Sequence, residues 1–383
     1  MPKDTAIFVP IITTPSIESP PGRRDRYYLP GLSGLRAIAA LTVLFTHVER
    51  LRLIHRMPMG ITPAFNSFIG GAAVTFFFVL SGFLITMLLL TEKAAEGTIR
   101  VRRFLLNRTL RIWPLYYLTL GAGYAISIFV LKDTGANPLS NGLLLNLLLL
   151  PNLSFVLGCL PDILVQTWSI GTEEQFYLVW PFLIRRLPAR RLMLVFTAII
   201  VGWVAARGFA WLIHSEPLGA FLFRTRIDCM AIGGLAALLL FRVKTWPKLY
   251  GLILQPATGY AAAIAFIGLL WTSKRYDISL YPAYACLYGI TCLRVTGIPV
   301  RWLEWAPLRY LGKISFGIYL IHQFVLYFLF HTWFIPHPMA ETGMFIIGAT
   351  LTIGLAALSY RYFESYFLQR KITQRPSPGP IPS

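Results

Sequence analysis

The sequence predicts an all-α fold: a polytopic integral membrane helical bundle of about ten transmembrane helices, one re-entrant segment and a basic cytoplasmic amphipathic helix. Three observations predict it. Hydrophobic residues make up 56% of the 383 residues, and charged residues only 13%, about half the charged share of an ordinary soluble domain. Several apolar runs reach the roughly 18 residues that a helix needs to cross the hydrocarbon core. The short alternating segments of a membrane β-barrel are missing. A soluble enzyme and a disordered chain are thereby excluded.

Residues 1–28 are polar and Pro-rich, show no cleavable signal peptide, and are expected to form a disordered cytoplasmic tail. The membrane domain is expected over 29–368. Residues 369–383, which include Arg375-Pro376-Ser377-Pro378, are expected to form a second disordered cytoplasmic tail. Candidate spans fall at 32–51, 67–90, 113–131, 168–184, 192–213, 224–241, 249–271, 279–296, 310–333 and 342–360. A further apolar stretch, Leu139 to Leu157, is interrupted by Asn141, Asn146, Pro151 and Asn152.

Charge decides how that stretch is counted. Lys and Arg total 35 against 16 acids, a net charge of +19. In a membrane protein this excess marks cytoplasmic loops, and no nucleic-acid partner is implied. With the N-terminus inside, the connection carrying Lys93, Arg100, Arg102, Arg103, Arg108 and Arg111 is also inside. If Leu139–Leu157 dips in and returns, the clusters Arg185/Arg186/Arg190/Arg191, Arg242/Lys244/Lys248, Arg294/Arg301/Arg309 and Arg361/Arg370/Lys371/Arg375 follow it there. If it crosses, they are placed outside. The first arrangement predicts a re-entrant segment, with both termini on the cytoplasmic side of the inner membrane. The four cysteines, Cys159, Cys229, Cys286 and Cys292, show no ligand spacing, so neither a metal site nor a disulfide framework is expected.

Ionisable groups at bilayer depth are costly and point to function. Arg36 and His47 share one face of the first helix, about 16 Å apart along its axis, with Arg36 toward the cytoplasm. Thr98 to Pro114 alternates Val101, Phe104, Leu105 and Leu110 with five arginines. This reads as an amphipathic helix on the cytoplasmic surface, ended by Pro114. Within it, Arg108 and Arg111 share a face and could clamp phosphates through forked donors. In Gln166 to Pro181, Glu173 and Glu174 diverge by about 100°, so only one can face a given cavity. Glu173 is expected level with His47, where a carboxylate could fix the imidazole for general-base work. Arg226 and Asp228 are more simply read as structural partners of other helices. His322 could line the same cavity, as could Trp168 and Glu174. Ser81-Gly82 reads as a helix-packing notch. No nucleophile elbow or phosphate-binding glycine loop is present.

These residues resemble the acyltransferase family three membrane proteins, which include bacterial O-antigen and exopolysaccharide O-acetylases. The resemblance spans about 29–368. It is carried by Gly34-Leu35-Arg36-Ala37-Ile38-Ala39-Ala40 with His47, Phe78-Val79-Leu80-Ser81-Gly82-Phe83-Leu84-Ile85, Arg108-x-x-Arg111 with Pro114, and Trp168-Ser169-x-x-x-Glu173-x-x-Phe176-Tyr177. One departure is Ser33, where the family commonly has Asp.

The resemblance implies acyl transfer, usually of acetyl, from acyl-coenzyme A to a hydroxyl on a saccharide, lipid-linked glycan or glycosylated small molecule. It places the family's essential groups on His47 and Arg36, its paired arginines on Arg108 and Arg111, and its membrane glutamate on Glu173. His47 is then the general base or, alternatively, an acyl carrier. Membrane lipids are the expected surroundings, and a homo-oligomer stays open. The competing reading is a secondary transporter using His47 and Glu173 as a proton relay.

Overall fold

The computed structural model describes residues 29–130, 141–276, 281–298, 300–335, 337 and 340–372, with the side chains of 141 and 270–276 excepted. Residues 1–28 and 373–383, the bulk of both expected tails, lie outside the described residues. The described chain continues past the expected boundary at Leu368. Ile372 exchanges two hydrogen bonds with Asn107, one through its N–H at 2.9 Å and one through its carbonyl at 3.1 Å.

The described residues form helices joined by short connections, with no strand among them. In chain order these are α1 (Leu32–Ile54), α2 (Pro63–Glu96), α3 (Val101–Phe129), α4 (Asn141–Leu147), α5 (Pro151–Val156), a 3₁₀ segment (Asp162–Thr167), α6 (Trp168–Arg186), α7 (Ala189–Leu212), α8 (Glu216–Thr225) and α9 (Ile227–Phe241). The chain goes on through α10 (Pro247–Leu254), α11 (Pro256–Tyr276), α12 (Tyr281–Gly297), α13 (Ala306–Lys313), α14 (Ser315–Leu329) and α15 (Glu341–Ser359). Single π-turns extend α14 to Phe334 and join α15 to Ser365–Leu368. The protein is thus a multi-pass, all-helical membrane protein. Among the described residues, four helices are long and apolar enough to cross a membrane: Pro63–Glu96, Val101–Phe129, Ala189–Leu212 and Glu341–Leu368. Two sharply bent pairs raise that number to six.

The central element is α2, whose 34 residues extend about 50 Å, well beyond a 30 Å hydrocarbon core. Its ends are written in the sequence. Thr62 accepts a hydrogen bond from the Phe65 N–H, Pro63 opens the first turn, and Gly97 closes the helix in the left-handed region at φ 72°. Packed around α2 are α1, α9 and α12. Gly82 and Gly233 bring α2 and α9 into backbone contact: a Cβ on Gly82 would overlap the Met230 carbonyl, and one on Gly233 the Val79 carbonyl. Small residues let membrane helices approach this closely. Gly82→Val is therefore expected to separate the two central helices and to lower thermal stability by several degrees in detergent, read by the unfolding midpoint.

Several expected boundaries are corrected. Pro114 does not end a surface helix; it lies inside α3, which runs unbroken from Val101 to Phe129. A proline removes one helical hydrogen bond, and burial of Ile112, Leu115 and Tyr116 on either side outweighs that loss. The expected span 224–241 is split at Arg226 into α8 and α9. The spans 249–271 and 310–333 are bent by 63° between α10 and α11, and by 72° between α13 and α14. Hydropathy cannot register such breaks, because the apolar run continues through them. Of Leu139–Leu157, residues 139 and 140 lie outside the described residues, and the rest forms α4 and α5, of seven and six residues. Each is about 10 Å long, too short to cross.

Candidate active site

Side chains from α1, α2, α3, α6 and α14 converge on a cavity of about 250 Å³. The polar lining is Arg36, Ser81, Arg108, Arg111, Ser169, Glu173, Tyr177, Ser315 and Tyr319, and the remainder is apolar. Helical spacing explains the selection. Ser169, Glu173 and Tyr177 recur every fourth residue on α6, Ser315 and Tyr319 do so on α14, and Arg108 and Arg111 are three apart on α3, so each set shares one face.

The cavity carries more positive than negative charge. Glu173 accepts hydrogen bonds from the Ser81 and Tyr177 hydroxyls, both at 3.0 Å, and its charge is attracted by Arg36 and Arg111. Arg108 lies over the rings of Phe104 and Tyr177, at 5.5 and 5.7 Å from their centroids. Among the described residues, Arg36, Arg108 and Arg111 form no ion pair with a carboxylate. Three guanidinium groups around one carboxylate, in a setting of low dielectric, suit an anionic guest, and forked donors suit phosphate oxygens. Ser81 is therefore a polar contributor, and only Gly82 serves as the packing notch.

Of the adjacent glutamates, Glu173 alone faces the cavity. Glu174 points to α3, where its Oε2 accepts from the Trp113 indole at 3.0 Å, while its Oε1 is buried without a hydrogen-bond partner.

His47 does not line this cavity. Its Nδ1 lies 2.7 Å from Gln323 Oε1, and its ring stands edge-on to His322 with centroids 4.8 Å apart. An amide oxygen only accepts, so Nδ1 carries the proton and Nε2 keeps its lone pair. His322 is 1% exposed; its Nδ1 points at the Ile318 carbonyl at 3.3 Å, and its Nε2 is buried with no hydrogen-bond partner. The His322 ring is 5.9 Å from that of Tyr319. The Tyr319 hydroxyl meets Ser169 Oγ at 2.8 Å and donates to the Gln166 carbonyl at 3.0 Å. Tyr319 and His322 thus stand between the arginine-lined cavity and the His47 imidazole.

Two expectations are corrected here. Glu173 is not level with His47 and does not hold its ring; it sits at the Arg36 end, and the imidazole is held by Gln323. Ser169, Glu173 and Tyr177 lie on the α6 face that meets the Arg36, Arg108 and Arg111 side chains. Nor do Trp168, Glu174, Arg226, Asp228 and His322 line the cavity. Arg226, 1% exposed, donates to the Gly71 carbonyl, Thr75 Oγ1 and the Phe223 carbonyl at 2.9, 2.8 and 2.9 Å, and lies over Tyr281. Asp228 accepts twice from Arg207, at 2.6 and 3.0 Å. Trp168 packs edge-on against Phe78. Sequence reasoning missed Gln323, Tyr319 and Arg207, and it quoted Tyr177 in a motif without giving it a role. The four-residue spacing from Ser169 through Glu173 was a usable signal for Tyr177, whereas nothing local marks Gln323 as the partner of a residue 276 positions away.

A model of the acyltransferase domain matches residues 29–361. Peptidoglycan O-acetyltransferase OatA of Listeria monocytogenes is 26% identical over 366 residues, covering 90% of this chain and 56% of the relative. A Bacillus subtilis protein named "Putative peptidoglycan O-acetyltransferase YrhL" is 26% identical over 373 residues, covering 88% of this chain and 54% of the relative. The chain therefore spans a little over half the length of these relatives. No solved structure matches it significantly. Since the family match takes in all five helices that build the cavity, the chain belongs to the membrane acyltransferase family that its Arg36, His47, Arg108 and Arg111 motifs resemble.

Proposed function

We propose that the protein is an O-acyltransferase that moves an acyl group, acetyl foremost, from acyl-coenzyme A to a saccharide hydroxyl. Peptidoglycan, which the relatives' names specify, is the leading acceptor. The observation that carries the reading is the cavity lined by Arg36, Arg108 and Arg111 with no ion-paired carboxylate. These groups fit the phosphates of a nucleotide thioester, and Glu173, held by Ser81 and Tyr177, keeps the guanidinium groups spaced. The reaction falls to His47. Its Nε2 takes the proton of the acceptor hydroxyl as the oxygen attacks the thioester carbonyl. The C–S bond then breaks, and the sulfur leaves with that proton as the coenzyme thiol. A thioester is already activated, so one base and correct positioning suffice.

Gln323 acts as a positioning residue, because its amide oxygen fixes which imidazole nitrogen is free. Gln323→Ala is expected to lower kcat about tenfold to a hundredfold with the donor KM little changed. Gln323→Glu, which keeps an acceptor oxygen, is expected to recover part of the loss. Steady-state kinetics with acetyl-coenzyme A separate these parameters.

The transporter alternative is weakened by the same geometry, since His47 and Glu173 do not meet and cannot pass a proton directly. The proposal retains about ten crossings, a re-entrant α4–α5 segment, a membrane domain over 29–368, both termini in the cytoplasm and residence in the inner membrane. The donor then enters from the Arg36 end. The direct test is to incubate purified protein in nanodiscs with acetyl-labelled coenzyme A thioester and a peptidoglycan fragment. Labelled ester on the glycan is expected; intact donor and unlabelled glycan would overturn the reading.

A further inference from the structure

Arg224 is half-buried and packs its guanidinium against aromatic rings from more than one element. Its guanidinium carbon lies 3.9 Å from the ring centroid of Phe155, 4.9 Å from that of Trp168 and 5.0 Å from that of Phe223. Phe155 and Trp168 come from α5 and α6 while Phe223 is the neighbouring residue on α8, so two other elements hold the cation against its own helix. Its backbone carbonyl accepts from the Thr172 hydroxyl at 2.9 Å, but among the described residues its side chain makes no hydrogen bond and no ion pair.

The contrast with its neighbours is informative. Arg226, two residues on, uses its donors on two carbonyls and a hydroxyl, and Arg207 is paired with Asp228. Arg224 instead has like charges nearby, those of Arg50 and Arg226. A guanidinium has five donors in a planar fork. Ring faces hold its charge in place but accept none of those hydrogen bonds in the way an anion does. The rings therefore fix the side chain while its partly exposed donors stay free to meet a ligand.

Its location says what it binds. Arg50 is close enough to act electrostatically on both His47 and Arg224. Trp168 adjoins Ser169, whose hydroxyl meets Tyr319 beside His322. Arg224 thus stands behind the Ser169 and Tyr319 wall of the cavity, within electrostatic reach of the same Arg50 as His47, and does not line the cavity with Arg36, Arg108 and Arg111. We infer that Arg224, with Phe155, Trp168 and Phe223, is the acceptor subsite, and that it takes a saccharide bearing an anionic substituent, a carboxylate or a phosphate ester. This deepens the acyl-transfer reading and rests on it for the role of acceptor. The aromatic cage limits water around the cation, which strengthens its bond to such a group.

The test is equilibrium sugar binding to the full chain in detergent with no donor present, so its outcome does not depend on whether the donor proposal stands. Three probes share one ring: N-acetylglucosamine, N-acetylmuramic acid, which adds a lactyl carboxylate, and N-acetylglucosamine 1-phosphate. At least one anionic sugar is expected to bind tenfold or more tighter than the neutral one. Arg224→Gln is expected to erase that preference while leaving the weak neutral binding, and Arg224→Lys to keep most of it. Retained neutral-sugar binding and an unshifted melting curve show that the variants are folded. The proposal is overturned if wild type binds all three sugars alike, if it binds none, or if the anionic preference survives in Arg224→Gln.

Discussion

Replacing His47 with alanine is expected to lower acyl transfer by roughly 10²–10⁴-fold, the usual contribution of a positioned general base. The imidazole is held by Gln323 at 2.7 Å through Nδ1, so the nitrogen that would accept the proton is fixed in place. The loss should fall on kcat, because the arginines suited to the donor line a cavity that His47 does not. Labelled-acetyl transfer measured with saturating donor reads the effect directly. Full activity in a folded His47→Ala protein would remove the imidazole from the mechanism. His322→Ala is a useful companion, since that ring stands 4.8 Å from His47. It should cost less than His47→Ala if its role is to pack and orient its neighbour.

The second large effect is on stability and lies away from the cavity. Asp228 is fully buried and accepts two hydrogen bonds from Arg207, at 2.6 and 3.0 Å. Asp228→Ala leaves Arg207 beside an apolar void with its charge uncompensated. Breaking a buried pair in this way costs about 3–5 kcal/mol, enough to abolish accumulation of a marginally stable protein. The double replacement Arg207→Met with Asp228→Leu removes both charges together and is expected to recover most of the loss. Thermal unfolding in detergent, followed for the single and double variants, distinguishes a structural pair from a functional one. A double variant no better than Asp228→Ala would contradict the structural assignment.

Particular residues show how far the sequence could be read. The paired arginines were legible because Arg108 and Arg111 stand three apart on a helix, which fixes a common face whatever the tertiary structure. The choice of Glu173 over Glu174 was half legible. Helical geometry sends adjacent residues in different directions, but only the packed structure shows which direction holds the cavity and which holds Trp113. The partners of Glu173 were not legible because they are Ser81 on α2 and Tyr177 on its own helix, not the imidazole on α1. The bends near Gln255 and Ile314 leave no trace in an apolar run. The Gln323–His47 and Arg207–Asp228 partnerships are tertiary contacts between polar residues on different helices, and one chain read alone does not reveal who meets whom.

In the proposed mechanism an arginine-lined end holds the donor and an imidazole end performs transfer. Equilibrium binding of acetyl-coenzyme A to three purified proteins tests that division most directly. Wild type and His47→Ala should bind alike. The double variant Arg108→Ala with Arg111→Ala, which removes two guanidinium groups from the cavity, should bind at least a hundredfold more weakly, at about 1.5–3 kcal/mol for each charged hydrogen bond lost. Undiminished binding by a folded arginine variant, or loss of binding in His47→Ala, would contradict the assignment of the two ends.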